Sequence, residues 1–254
     1  MMPAKSLSGL NVLVTGASGG IGAAIVERLA QEGARPVIHY GRDRAGAEAL
    51  LARISGEGWI VQADLSKPAG AFELWREAEA AAGHVHALVN NAGIRTEISI
   101  DADADAWRDA WQREFQVNFF AAADLCKEAL RHFKVHGGGR IVNMASRAGQ
   151  RGYAADAMPY GATKAALVNL TKSIARSFGA DGVVALAIAP GWVQTEMAED
   201  FVAKFGKQAA VADIPIGEMA EVSEIAELVA FALRPSQRSL NGATIDVNGG
   251  SYIR

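Results

Sequence analysis

Short apolar runs alternate with amphipathic stretches along the whole chain. Asn11-Val12-Leu13-Val14-Thr15 is nearly continuous in apolar residues, as a strand covered on both faces should be. Ile21, Ile25 and Leu29 then recur every four residues, which predicts a helix from Ile21 to Glu32, stopped by Gly33. The rhythm repeats: strands over Pro36–Tyr40, Trp59–Ala63, His86–Asn90, Arg140–Ala145, Val183–Ala189 and Ala243–Val247. Between them lie helices over Arg44–Ile54, Ala69–Ala82, Asp105–His136, Pro159–Phe178 and Glu221–Leu233. Strict alternation of this kind predicts an α/β fold: one doubly wound, seven-stranded parallel sheet with helices on both faces.

One segment breaks the rhythm. Gln194 to Gly217 carries Glu196, Met197, Phe201 and Phe205 at partly helical spacing, and long excursions in compact domains are often lids or binding loops. With 254 residues, half of them hydrophobic, and no long linker, the chain 1–254 reads as one domain. A net charge of -3 without a long basic run argues against nucleic acid and membrane partners. Met1 to Gly9 shows no apolar signal-peptide core and no run approaches a membrane span, so a cytoplasmic protein is expected. Cys126 is the single cysteine, which rules out an intramolecular disulfide. The five histidines show no ligand spacing, so no metal is expected.

Two stretches carry chemistry. Thr15-Gly16-Ala17-Ser18-Gly19-Gly20-Ile21-Gly22 follows the first strand and opens the first helix, the place where backbone can approach a pyrophosphate at a helix N-terminus. Tyr160 and Lys164 stand at i and i+4 and share a helix face, so the ammonium is expected to hold the phenol's pKa down. Such a phenol can exchange a proton with an alcohol near neutral pH.

Thr15 to Gly22, Asn90-Asn91-Ala92-Gly93, Asn118, Ser146, Tyr160 with Lys164, and Pro190-Gly191-Trp192-Val193-Gln194-Thr195 stand in order. Together with Asn241-Gly242 and Val247 to Gly250 they make the chain resemble the short-chain dehydrogenase/reductase family over nearly its full length, most of all its 3-oxoacyl-carrier-protein reductase type. The resemblance implies a Rossmann fold and an oxidoreductase acting on a carbonyl or secondary alcohol. It implies Tyr160 as general acid and base, Ser146 on the substrate oxygen, Lys164 on the nicotinamide ribose, and Asn118 anchoring a relay water. It implies cofactor contacts from Gly16, Ser18, Gly19, Gly20, Ile21, Gly22, Asn91, Ala92, Gly93, Pro190, Gly191, Val193 and Thr195. It also implies a homotetramer. Two features depart from the family pattern. The Ser146–Tyr160 spacing is one residue longer than the family pattern, which implies a reshaped loop from Gly149 to Met158, and Gly19 stands where a basic residue is frequent.

Cofactor choice turns on the end of the second strand. An Asp or Glu there would bind the ribose 2′-OH of NAD. Tyr40 stands at that place with Arg42 close behind, and a guanidinium suits a 2′-phosphate, so NADP(H) is favoured. Asp43 leaves NAD open if the loop turns its carboxylate to the ribose. Asp64 and Leu65 are expected at the adenine. The alternatives are an NAD-dependent dehydrogenase of a sugar, polyol or steroid alcohol, and a non-catalytic dinucleotide sensor. Arg95, Arg147, Tyr153 and Trp192 are the candidates to line a small-molecule substrate. Arg147 could meet an anion or make an outward salt bridge.

Overall fold

The computed structural model describes residues 6–254, while the side chains of Met197, Asp200 and Phe205 lie outside the described set. So do residues 1–5, on which part of the leader reading rests. Seven parallel strands form one sheet: β1 (Asn11–Val14), β2 (Arg35–Tyr40), β3 (Trp59–Gln62), β4 (Ala87–Asn90), β5 (Gly139–Met144), β6 (Val183–Pro190) and β7 (Thr244–Val247). Their order is β3-β2-β1-β4-β5-β6-β7. The helices are α1 (Gly20–Gln31), α2 (Arg44–Arg53), α3 (Gly70–Ala82), α4 (Ala104–Phe115), α5 (Ala121–His136), α6 (Ala148–Arg151), α7 (Met158–Phe178), α8 (Glu196–Phe205), α9 (Lys207–Val211) and α10 (Val222–Leu233).

Successive strand residues feed opposite faces. Val12 and Val14 join a core with Ile25 of α1, Leu50 of α2 and Ile225 of α10, whereas Leu13 joins Leu74 of α3, Leu125 of α5 and Ile174 of α7. Burial on both faces explains why these strands read as apolar runs rather than as alternation. Helix starts follow their caps. Asp43 accepts from the Gly46 N–H at 2.9 Å, Asp103 from the Ala106 N–H at 2.8 Å, and Glu221 with Glu224 forms a capping box.

The sequence pattern predicts one helix over Asp105–His136, and the chain is helical throughout that stretch, with one local irregularity. A π-turn, Gln116–Phe120, separates α4 from α5. Within it Asn118 accepts from the Ile94 N–H (2.8 Å) and donates to the Ile94 carbonyl (2.9 Å), which pins the helix to the segment that follows β4. The 194–217 excursion folds into α8 and α9 over its own small apolar cluster of Ala198, Ala210, Ile214 and Met219. No helix among the described residues is long and apolar enough to cross a membrane.

Strand order reverses between β1 and β4, so a crevice opens outside the carboxyl ends of these strands.

Candidate active site

The crevice begins at the glycine loop. Gly16 has φ 61°, and a Cβ there would stand 2.9 Å from Ala92 Cα. At Gly22 a Cβ would fall 2.3 Å from the Gly16 carbonyl oxygen. These two glycines are therefore required by packing. Gly19 differs: a Cβ there meets nothing within 4 Å, and as N-cap of α1 it brings no side chain to the first helical N–H groups. Unfilled space before uncapped donors is what a pyrophosphate needs, and the loop fits that group. The Thr15 hydroxyl accepts from the N–H groups of Asn91 and Ala92, both at 2.9 Å. Asn91 donates in return to the carbonyls of Thr15 and Gly16 (2.9 and 3.0 Å). The two motifs are one stitched unit.

At the other end, Ser146 follows β5, while Tyr160 and Lys164 rise from the first turns of α7. A cleft of about 350 Å³ gathers Ser146, Tyr160 and Lys164 with Gly19, Gly20, Ile21, Asn91, Gly93, Pro190, Gly191, Val193 and Thr195. Lys164 is 4% exposed, donates to the Met144 carbonyl (2.7 Å), and holds Nζ 5.6 Å from the centre of the Tyr160 ring. Burial draws its pKa down to about 8 against the pull of Glu114. The Tyr160 ring is half-buried and borders the open cleft, but protein atoms crowd its hydroxyl. That crowding pushes its pKa up to about 12, with Ser146 acting in the opposite direction. Burial thus outweighs the pull of Ser146 and Arg95, and the protein's own groups raise the phenol's pKa.

Asn118 lies behind this cluster rather than in the cleft. A Cβ on Gly93 would stand 3.3 Å from Asn118 Oδ1 and 3.5 Å from Lys164 Nζ, so the three groups converge. Glu114, one turn earlier, is fully buried, accepts from the Thr96 N–H (2.8 Å), and has its pKa raised by burial. Sequence reasoning missed it, although its i, i+4 spacing to Asn118 was there to be read.

A second cleft shares Asn91 and Gly93 with the first and is lined by Arg42, Asp64, Leu65, Ala92 and Arg113. Two expected contacts fail to reach it. Tyr40 is turned into the core, because alternation along β2 sends His39 to the cleft instead. Ser18 lines neither cleft. His39 Nδ1 accepts from the Gly16 N–H (3.0 Å) while Nε2 faces the Ala63 carbonyl (3.1 Å). Burial pushes its pKa down to about 4, so it is neutral with the proton on Nε2. Asp43 is engaged in capping α2, and Arg44 pairs with Glu48. Among the described residues Arg42 has no salt bridge.

Around the open end, Tyr153 lies 5.6 Å from the Tyr160 ring, and Arg95 stands over Tyr153 while paired with Glu97. Trp192 packs on Phe201 of α8 at 4.7 Å. Arg147 is buried and bonds to Asp213, which also takes Arg151. Of the two expectations for Arg147 the salt bridge is the one formed, to the exposed carboxylate of Asp213 on the excursion. The loop of unusual length carries α6, which packs so closely on α7 that a Cβ on Gly149 would stand 2.6 Å from the Ala165 nitrogen.

Residues 10–205 match the family model described as short chain dehydrogenase. The chain is 34% identical to the 3-oxoacyl-[acyl-carrier-protein] reductase FabG of Vibrio cholerae, over 98% of this chain and 99% of that one. It is also 34% identical to an NADPH-dependent aldehyde reductase-like chloroplastic protein of Arabidopsis thaliana, over 98% and 96%. Among solved structures, a doubly substituted mutant of a Serratia marcescens short-chain dehydrogenase/reductase superposes with a TM-score of 0.88 at 32% identity, over 97% and 99% of the two chains.

Proposed function

Because the chain belongs to the short-chain dehydrogenase family, we propose that Tyr160 is its general acid and base and that NADP(H) is its hydride carrier. The protein is an NAD(P)-dependent oxidoreductase acting on C=O and CH–OH groups. The observation that carries the Tyr160 assignment is the meeting of Ser146, Tyr160 and Lys164 in one cleft with the glycine loop. When bound, the nicotinamide supplies or takes the hydride. The chain does the rest. N–H groups of Gly19, Gly20 and Ile21 would hold the pyrophosphate, with Gly16 and Gly22 shaping the turn. Asn91, Ala92 and Gly93 wall one side, and Pro190, Gly191, Val193 and Thr195 the other. Ser146 orients the substrate oxygen and stabilises charge developing on it. Tyr160, as the phenol, gives its proton to that oxygen in reduction and, as the phenolate, takes the alcohol's proton in oxidation. Lys164 would hold the ribose, and Asn118 a relay water behind it.

Support for NADP(H) comes from what surrounds the ribose end of the second cleft. No carboxylate closes β2, Asp43 is tied to Gly46, and Arg42 stands at the cleft without a salt bridge. At the substrate end Glu97 is shared by Arg95 and Lys204, and Asp213 by Arg147 and Arg151, so positive charge is left in excess there. Exposed Phe120, 50% accessible beside Phe115 and Phe119, supports burial of this helix face in a homotetramer. The test is Tyr160→Phe. It should retain dinucleotide binding and lose at least about a hundredfold in turnover, the usual contribution of a positioned acid. Near-wild-type turnover would sink the assignment.

A further inference from the structure

Four of the five histidines meet at the other end of the sheet, where β4 begins and α5 ends. His84 and His86 come from the turn into β4, and His132 and His136 stand one turn apart on α5. The rings stack in a group: His132–His136 at 4.1 Å, His84–His136 at 4.5 Å, His84–His86 at 3.9 Å. Sequence inspection finds no ligand pattern because the chain separates His84 from the pair on α5; the sheet brings them together.

We propose that His84, His132 and His136 form a divalent transition-metal site, suited to zinc by its three imidazoles. Their ligand atoms all lie within 4.8 Å of one another. Zn–N bonds of about 2.0–2.1 Å in tetrahedral geometry place ligand nitrogens closer than this, and binding turns the rings out of their stacked arrangement so that their in-plane lone pairs converge. Hydrogen bonds behind the rings select which nitrogen faces the centre. His136 donates through Nδ1 to the His132 carbonyl (2.8 Å), which leaves its Nε2 with a free lone pair. His132 donates through Nδ1 to the Glu79 carboxylate (2.7 Å), an arrangement that orients and strengthens a metal-binding imidazole. His84 Nε2 is buried with no hydrogen-bond partner, an orphaned lone pair or N–H inside the group. The one competitor is the Val85 N–H, which reaches His132 Nε2 at a long 3.3 Å and would be displaced.

His86 is a support and not a ligand, since its Nδ1 accepts from the Asn11 N–H (3.0 Å). His136 is exposed, so solvent completes the coordination. The site lies at the strand ends opposite the crevice. It would clamp the entry of β4 to the end of α5 without touching hydride transfer.

The experiment uses untagged full-length protein, stripped with chelator and titrated with ZnCl2 by calorimetry. One Zn²⁺ per chain is expected, with Co²⁺ giving the intense visible bands of a four-coordinate site. His84→Ala and His136→Ala should each weaken binding at least about tenfold, and Glu79→Gln by roughly ten- to a hundredfold. His86→Gln should keep the stoichiometry. Zinc should raise the thermal midpoint of the wild type and not of the His84→Ala/His136→Ala variant. His84 is only half-buried and His136 exposed, so these variants fold, as far-UV circular dichroism checks. Absence of saturable binding up to about 100 μM Zn²⁺, or binding undiminished in the double variant, overturns the site.

Discussion

Thr15→Val isolates one oxygen atom at the joint between the glycine loop and the wall of the crevice. Thr15 is 1% exposed, and valine keeps its shape while removing the hydroxyl. That hydroxyl serves two backbone donors, but not equally. The Asn91 N–H also reaches the Val89 carbonyl at 3.1 Å and keeps a partner after the change. The Ala92 N–H has only the hydroxyl, at 2.9 Å, and is left unpaired. One partly buried orphan costs about 1–3 kcal/mol. In a chain of this size that lowers the thermal midpoint by several degrees, at about 2–4 °C per kcal/mol. Because Asn91 and Gly93 border both clefts, dinucleotide affinity should fall about tenfold as well. Denaturant unfolding and fluorescence titration measure the two effects, with Thr15→Ser as the control that keeps the oxygen. A stability loss under about 0.5 kcal/mol, or equal losses in the Val and Ser variants, would refute the argument.

Arg42→Ala should cut the NADPH-over-NADH ratio of kcat/KM by about tenfold or more, since a charge-assisted contact is worth about 1.5–3 kcal/mol; a wild type that prefers NADH would reverse the cofactor assignment. For His39, the folded pKa of about 4 lies below the ordinary 6.5, so the unfolded chain binds the proton first as pH falls. Stability should therefore decline between about pH 6.5 and pH 4, and His39→Asn should flatten part of that slope in urea titrations; an unchanged slope would contradict it. Light scattering should give four times the 26.7 kDa chain mass, and a monomeric mass at micromolar concentration would exclude the tetramer.

The sheet was legible because parallel strands buried on both faces leave apolar runs that little else imitates. All seven appear within a residue or two of where the runs stand, from Asn11–Val14 to Thr244–Val247. The predicted helix over Asp105–His136 is continuous, but its π-turn lies outside what local periodicity contains. Asn118 is paired across space with Ile94, and nothing in the spacing of neighbouring residues announces a partner so far away in the chain. The excursion at 194–217 looked irregular because α8 and α9 pack on their own small cluster, not on the sheet, so their apolar stripe is short.

At the site, legibility divides by whether a residue acts through its backbone or through its surroundings. Gly16 and Gly22 could be placed from spacing alone, because their constraint is steric and belongs to the turn. The ionisation of Tyr160 could not. An i, i+4 lysine argues for a lowered phenol pKa, yet desolvation acts on both groups and opposes charge on each, raising Tyr160 to about 12 and lowering Lys164 to about 8. Depth of burial depends on α4, β5 and α7 meeting around the pair, which helix spacing does not contain. His39 shows the same limit in reverse. Reading the end of β2 for a carboxylate directs attention to Tyr40, whereas the alternation of the strand presents the residue before it. A neutral imidazole that accepts the Gly16 N–H then contributes to holding the glycine loop, so the loop's conformation rests on β2 as much as on its own glycines.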